Sequence, residues 1–221
     1  MFKQIFELFK SDSLYEQALT ECHEMLEIVR EMFNESVKSL RTSDNAEIPI
    51  DIYAMDKKIN EFERDVRRKV MTHLAVSGKE DIASGLILVS VVIDIERMGD
   101  YTKNIYDLAV QHPKKLVAGS FENTFTDMEK TTKEFLNQAI DAFKQQDIES
   151  ARTLMTNYKK DISSISNEIV NTIVSGQNAE FSPDKAGALC LYARYLKRIA
   201  AHSRNLVSSI VNPFERIGYP E

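Results

Sequence analysis

Apolar residues recur every three or four positions along most of the chain, the spacing of a helix with one buried face. The strict apolar–polar alternation typical of a half-buried strand does not occur over any convincing length. The chain is therefore expected to be all-α. The pattern predicts six long helices, at about Asp12–Leu40, Ile50–Val76, Lys79–Gln111, Glu122–Gln145, Ile148–Ser175 and Pro183–Val211.

Capping residues, prolines and glycines mark the ends of these helices. Ser182-Pro183 places a capping hydroxyl before a proline, whose missing N–H is harmless in a first helical turn. Pro49 is expected to start the second helix in the same way. Asp147 is expected to cap the fifth helix, and Gly176 stands where that helix should stop.

The segment from His112-Pro113 to Ser120 divides the chain into two halves of three helices each. Short connections force neighbouring helices to run antiparallel, so each half should be an up-down three-helix bundle. We therefore expect a first domain at residues 1–113 and a second at residues 114–221.

The third and sixth predicted helices carry related sequences, ERMGDYTKNI from Glu96 and KRIAAHSRNL from Lys197. Arginine, an apolar residue, a small residue and asparagine recur in register. The acidic positions do not, because Lys197 replaces Glu96 and Ala201 replaces Asp100. The spacing equals one half of the chain, which indicates an internal repeat.

Charge and cysteine content exclude several classes of protein. The formal net charge of −6 is not that of a typical nucleic-acid binder. Cys22 and Cys190 form no CxxC motif, which favours a reducing compartment.

Met1–Lys10 is a short amphipathic segment and lacks the apolar core of a signal peptide. We expect it to pack on the protein, the alternative being a membrane or transporter surface. No apolar run of about 18 residues occurs, so no helix is expected to span a membrane. We expect a cytoplasmic protein.

Two sets of oxygen-bearing residues lie on faces of neighbouring predicted helices. Glu96 and Asp100 are one turn apart on the third helix, and Asp56, Asn60 and Glu63 share a face of the second. Antiparallel packing would place the sets opposite one another, and such ligands favour hard cations. On the third helix the acidic pair continues an apolar stripe made of Ile82, Leu86, Val89 and Ile93.

Solvated ion pairs are the alternative interpretation of these carboxylates. The candidate cations are Arg64, Arg67, Arg68 and Arg97. In that case the opposite face of the third helix would form the core, through Met98, Tyr101, Ile105 and Leu108. None of the four histidines lies three residues after a glutamate, so the ligand element of di-iron bundles is missing. No Walker A, GxGxxG or GxSxG motif is present either.

Residues 96–100, ERMGD, resemble the ERIGD segment of the PhoU family. Residues 56–63, DKKINEFE, resemble the D-K-x-V/I-N-x-x-E segment of the same repeat. Residues 141–143 and 147–152 resemble the family's loop between its fourth and fifth helices. The similarity extends in the right order over nearly the whole chain, from about residue 15 to residue 212.

The resemblance implies a fold of two tandem up-down three-helix bundles, similar to spectrin repeats, and often a homodimer. It implies a non-enzymatic regulator of phosphate uptake that acts negatively on a Pst-type ABC transporter and a phosphate-sensing histidine kinase. Its membrane association would be peripheral, through the partner only. Some family members bind multinuclear metal clusters, which makes iron, zinc, manganese or magnesium the expected cofactors. Carried over by position, the expected metal ligands are Asp56, Asn60, Glu63, Glu96 and Asp100.

The second half departs from the family pattern. Lys197 and Ala201 occupy the carboxylate positions, and Tyr158 stands where an aspartate would be expected. A second metal cluster is therefore not expected, because a lysine there would repel a cation. The departure leaves open another phosphate carrier as the partner. Two rival functions also stay open: a metal-dependent enzyme or metal store using Glu96 and Asp100, and a helical interaction module without a phosphate role.

Overall fold

The computed structural model describes residues 13–76, 81–112, 114–177 and 180–221, and these ranges contain helices and no strand. A π-helical turn, Lys159–Ser163, joins two of the helices into one rod. The expected all-α fold with six long helical rods is confirmed. The helices are α1 (Leu14–Thr42), α2 (Ile52–Val76), α3 (Ile82–Gln111), α4 (Glu122–Gln145), α5 (Ile148–Tyr158), α6 (Ser164–Val174) and α7 (Pro183–Val211).

Helix ends follow local capping chemistry, with one correction. Asp147 caps α5 by accepting hydrogen bonds from two backbone N–H groups of its first turn. Pro183 begins α7 as expected, although the Ser182 hydroxyl makes no capping hydrogen bond. The expectation that Pro49 starts α2 is wrong. That helix begins at Ile52, because the Asp51 carboxylate caps its first turn from 3.0 Å.

Three expected features lie at undescribed positions. The amphipathic segment Met1–Lys10 is outside the described residues, as are the predicted helix starts at Asp12 and Lys79. Among the described residues, no helix is long and apolar enough to cross a membrane.

The rods pack as two groups that share one core. The first three helices contact one another, and α4, α5 and α6 pack on α7. In addition, α3 lies along α7 and α1 touches α4, so the buried side chains of both groups form one hydrophobic cluster. The division at residue 113 into two domains stays a prediction.

The apolar stripe expected to bury α3 is not its buried face. Ile82, Leu86 and Ile93 are 44%, 38% and 36% exposed. The buried set includes Val92, Ile95, Met98, Ile105 and Leu108, which agrees largely with the alternative face. Since α1, α2 and α7 cover this helix from several directions, it is apolar over most of its circumference. Periodicity therefore could not single out one side.

The π-helical turn marks a one-residue insertion in the second group. The buried residues Ile52 and Ile59 of α2 are seven positions apart. Their counterparts, Leu154 and Ile162, are eight positions apart. A π turn accommodates one residue more than an α turn, so Lys159–Ser163 absorbs the extra residue and returns the buried stripe to the core.

Candidate cation site

The predicted ligands do lie on facing sides of α2 and α3. The Lys103 ammonium donates hydrogen bonds to Asp56 Oδ2 at 2.9 Å and to Asp100 Oδ1 at 3.2 Å, which joins the two helices. Asn60 supports Asp56, since its side-chain amide donates to the Asp56 carbonyl and carboxylate at 3.0 and 3.3 Å. The site is thus a carboxylate-lined gap with a cation already inside it.

Arginines supply the remaining positive charge. Arg97 lies 3.1 Å from Asp100 and 3.4 Å from Glu96, and Arg67 lies 2.8 Å from Glu63. These two arginines therefore pair with the carboxylates as the alternative interpretation expected, although Glu63 and Glu96 are only 15% and 13% exposed and so are not on a solvated face. Both guanidinium groups are about half exposed, so each pair contributes little to stability, about 0–1 kcal/mol.

Among these carboxylates, the negative charge of Glu96 is the least balanced by nearby hydrogen-bond donors and positive groups. Its side chain is 13% exposed, and its buried Oε2 accepts no hydrogen bond from any described residue. Burial raises the pKa of this carboxyl, the nearby Asp100 raises it further, Arg97 opposes the rise, and Glu63 adds to it. An additional cation near Glu96 would therefore be favourable.

The geometry fits a cation better than it fits a preformed metal cluster. Across the described ranges, no three histidine, cysteine, aspartate or glutamate side chains stand close enough together to hold one metal ion. Glu96 Oε2 lies 3.4 Å from Arg97 Nε but accepts no hydrogen bond from a described residue, which favours an added cation, whereas Lys103 already occupies the gap between Asp56 and Asp100. A metal ion at that gap would have to displace the ammonium group.

The small residue of the ERMGD segment has a packing role. A Cβ atom on Gly99 would lie 2.8 Å from Ile59 Cδ1 on α2, closer than normal contact. Glycine thus lets α2 and α3 approach closely beside the carboxylates. The corresponding position in the second repeat is Ala200, which is fully buried.

Asp94 connects the two repeats, and the sequence interpretation missed it. This aspartate is only 9% exposed on α3 and accepts hydrogen bonds from two residues of α7. The donors are His202 Nδ1 at 2.7 Å and Asn205 Nδ2 at 3.0 Å. The His202 ring also stacks on Tyr101, with ring centres 5.7 Å apart. These contacts give His202 a structural role between α3 and α7.

The equivalent positions in the second repeat carry no carboxylate. Lys197, in the place of Glu96, donates to the Asn167 side chain at 2.9 Å. Burial lowers the pKa of this ammonium group, and the neighbouring Arg194 and Arg198 lower it further. A cation site is therefore absent from the described counterpart positions.

Two solved structures have this architecture. PhoU from Pseudomonas aeruginosa superimposes with a TM-score of 0.77 at 20% identity, over 92% of this chain and 97% of that one. The phosphate transport system regulatory protein PhoU from Streptococcus pneumoniae gives a TM-score of 0.77 at 18% identity, over 89% and 93%. These likenesses establish the class of fold, a tandem pair of helical repeats.

Sequence comparison then identifies the family. The PhoU domain matches the chain twice, at residues 22–109 and 125–210, so this chain belongs to the PhoU family. It is 23% identical over 192 residues to the phosphate-specific transport system accessory protein PhoU homolog 1 of Thermotoga maritima, covering 85% of this chain and 81% of the relative. The corresponding homolog of Aquifex aeolicus is 26% identical over 125 residues, 56% of each chain.

Proposed function

We propose that this protein is a non-enzymatic regulator of phosphate transport. The observation that carries the proposal is the double match to the PhoU domain, which extends over both helical repeats. The relatives named as accessory or regulatory proteins of phosphate transport systems support it, because they match most of the chain in sequence or fold. The protein would act in the cytoplasm by docking on a phosphate transporter, a phosphate-sensing histidine kinase or both, with a homodimer as the expected assembly.

Deletion of the gene tests this role. If the protein restrains uptake, loss of the gene should raise phosphate uptake or the phosphate-starvation response in cells grown with abundant phosphate. The measurement is uptake of radiolabelled phosphate at low and high external phosphate, with the intact gene restored as the control. Unchanged uptake and starvation response at both concentrations, in a strain without a second copy of the family, would contradict the regulatory role.

The carboxylate gap supports a second, finer proposal. Asp56, Asn60, Glu63, Glu96 and Asp100 would hold a hard metal ion in competition with the Lys103 ammonium group. Such an ion would supply concentrated positive charge between α2 and α3, where Glu96 Oε2 now lacks a hydrogen-bond donor among the described residues. Because Lys103 holds both aspartates, metal binding should be weak in the natural chain.

Substitution of Lys103 tests the competition. We expect Lys103→Met to retain more iron, manganese, zinc or magnesium than the natural chain, because the substitution removes the competing charge. The Glu96→Ala, Asp100→Ala double variant should lose nearly all specifically bound metal. Lys197→Ala, the counterpart in the second repeat, should match the natural chain. Elemental analysis after gel filtration measures these differences, and a metal-free Lys103→Met variant would rule out the site.

A further inference from the structure

A cavity of about 480 Å³ lies in the second repeat, between α5, the π-helical turn, α7 and the C-terminal residues. Its wall contains more positive than negative side chains. The cations are Arg152, Lys159 and Arg204, and Glu221 is the single carboxylate in the lining. Tyr158 and Ser163 add hydroxyl groups that can donate hydrogen bonds.

The one carboxylate is already engaged in a geometry that an oxyanion could reproduce. Arg152 holds the Glu221 side chain through two parallel hydrogen bonds, Nε to Oε2 at 2.8 Å and Nη2 to Oε1 at 2.7 Å. A third contact joins Arg152 Nη1 to Glu149 at 3.0 Å. The guanidinium fork is thus presented to a pair of anionic oxygens, the arrangement that also suits a phosphoryl group.

The other two cations are not neutralised by carboxylates. No described aspartate or glutamate lies within ion-pair distance of Lys159 Nζ or of the Arg204 guanidinium group. Arg204 instead lies over the ring of Tyr158, 5.7 Å from its centre. Burial raises the pKa of the Tyr158 hydroxyl, whereas a hydrogen bond with Ser163 and the nearby Arg204 and Arg198 oppose the rise, so two guanidinium groups lie close to this hydroxyl.

The cavity coincides only in part with the counterpart of the carboxylate gap, because Lys197 and Ala201, which replace Glu96 and Asp100, do not line it. When the inserted residue is taken into account, Tyr158 stands in the place of Asp56, and Ser163 in that of Asn60. Arg204 stands in the place of Lys103. The exchange replaces a carboxylate by a hydroxyl group and keeps a cation, so this position carries more positive charge than its counterpart in the first repeat. The π-helical turn forms part of the wall, and such turns are frequent at ligand sites.

We propose that this cavity binds a small oxyanion with phosphoryl chemistry, held by Arg152, Lys159 and Arg204, with the Glu221 carboxylate taking its place at Arg152 when no anion is bound. The proposal rests on the charges and contacts of the second repeat. It depends neither on metal binding in the first repeat nor on a role in phosphate transport.

Calorimetric titration of the full chain with inorganic phosphate tests the site. Sodium chloride at matched ionic strength is the blank. We expect saturable binding to one site per chain, and a loss of affinity of about tenfold or more in Arg204→Gln, because a charge-assisted contact is removed. Binding that cannot be saturated would overturn the proposal, and so would the absence of binding above the blank for both phosphate and ATP.

Lys159→Gln provides a version of the test that does not disturb the core. This side chain is exposed, and its counterpart in the first repeat, Lys57, is exposed as well. Lys159→Gln should weaken phosphate binding by about threefold to tenfold, while Lys57→Gln should leave it unchanged. Equal effects of the two substitutions would show that phosphate responds only to the overall charge.

Glu221→Gln distinguishes a binding site from a structural ion pair. Removing the competing carboxylate should tighten phosphate binding by about threefold or more. Unchanged or weaker binding would contradict the proposed competition.

ATP serves as a second probe, because a phosphoryl group can arrive free or attached to an organic molecule. Binding of both probes with loss in Arg204→Gln favours the free anion, binding of ATP alone favours a nucleotide, and binding of neither overturns the proposal.

Discussion

Replacing Arg41 by methionine is expected to lower the free energy of unfolding by about 3–5 kcal/mol near neutral pH, the effect of removing one partner of a buried ion pair. The Arg41 guanidinium lies 2.7 Å from Glu129 on α4, and both side chains are largely buried. The same group contacts Glu122 and the Leu116 carbonyl. Glu129 also accepts a hydrogen bond from the fully buried Tyr192 of α7 at 2.9 Å. Arg41 on α1 is therefore connected to the segment between α3 and α4, to α4 and, through Glu129, to α7.

The loss should depend on pH. Burial raises the pKa of the Glu129 carboxyl, although Arg41 and Tyr192 act in the opposite direction. A carboxyl whose pKa is higher in the folded state than in the unfolded state binds a proton more readily when folded, so stability falls as pH rises through that value. Without Arg41 the pKa rises further, and Arg41→Met should therefore be more destabilising at about pH 8 than at about pH 5.

Urea unfolding at both pH values measures this effect. Arg30→Met is the matched control on the same helix, because Arg30 pairs at 2.8 Å with Asp141, which is more than half exposed. The control should change stability by less than about 1 kcal/mol. Adding Glu129→Gln to Arg41→Met should recover part of the loss at the higher pH. A loss in Arg41→Met no greater than in the control would contradict the network.

Replacing Asp94 by alanine is expected to cost about 2–3 kcal/mol, because it leaves two donors without an acceptor between α3 and α7. His202 and Asn205 both donate to the Asp94 carboxylate, which is the polar centre of the contact between the repeats. Asp94→Asn keeps one acceptor oxygen and should have an intermediate effect. Thermal and urea unfolding followed by circular dichroism give the comparison.

Asp107→Ala controls for the loss of an aspartate elsewhere on α3. Asp107 accepts a hydrogen bond from the Tyr53 hydroxyl at 2.7 Å, but that contact is exposed to solvent. Its removal should cost less than about 1 kcal/mol. If Asp94→Ala and Asp107→Ala lowered the free energy of unfolding equally, the buried contact between the repeats would contribute no more to stability than an exposed hydrogen bond.

Helix positions could be predicted from the sequence because their signals are local. The bounds of α4, Glu122–Gln145, and of α7, Pro183–Val211, agree with the predicted ones. The orientation of α3 could not be predicted in the same way. Its exposed and buried sides are both apolar, and only its neighbours α1, α2 and α7 decide which side is covered. The one-residue insertion at Lys159–Ser163 likewise becomes evident once burial aligns the two repeats.

The carboxylates could be predicted because Asp56, Glu96 and Asp100 lie on regular helical faces. Lys103 was missed even though it lies two turns from Glu96 on the same face, so extending the face by one turn would have found it. No comparable sequence pattern indicated Asp94 or the cavity lined by Arg152. Their contacts join residues that are distant in sequence, and their arrangement depends on how α3 and α5 pack against α7.

The contact between α3 and α7 bears on how many repeats are needed to cover their apolar surfaces. Each repeat places its last helix against the last helix of the other, where the fully buried Met98 of α3 lies against the fully buried Ser203 of α7. A chain that ended after α3 would leave this apolar surface in water, and a second copy of itself would be the nearest available cover. A single repeat of this kind is therefore expected to exist as a pair, and the tandem chain has the same pairing built into one polypeptide.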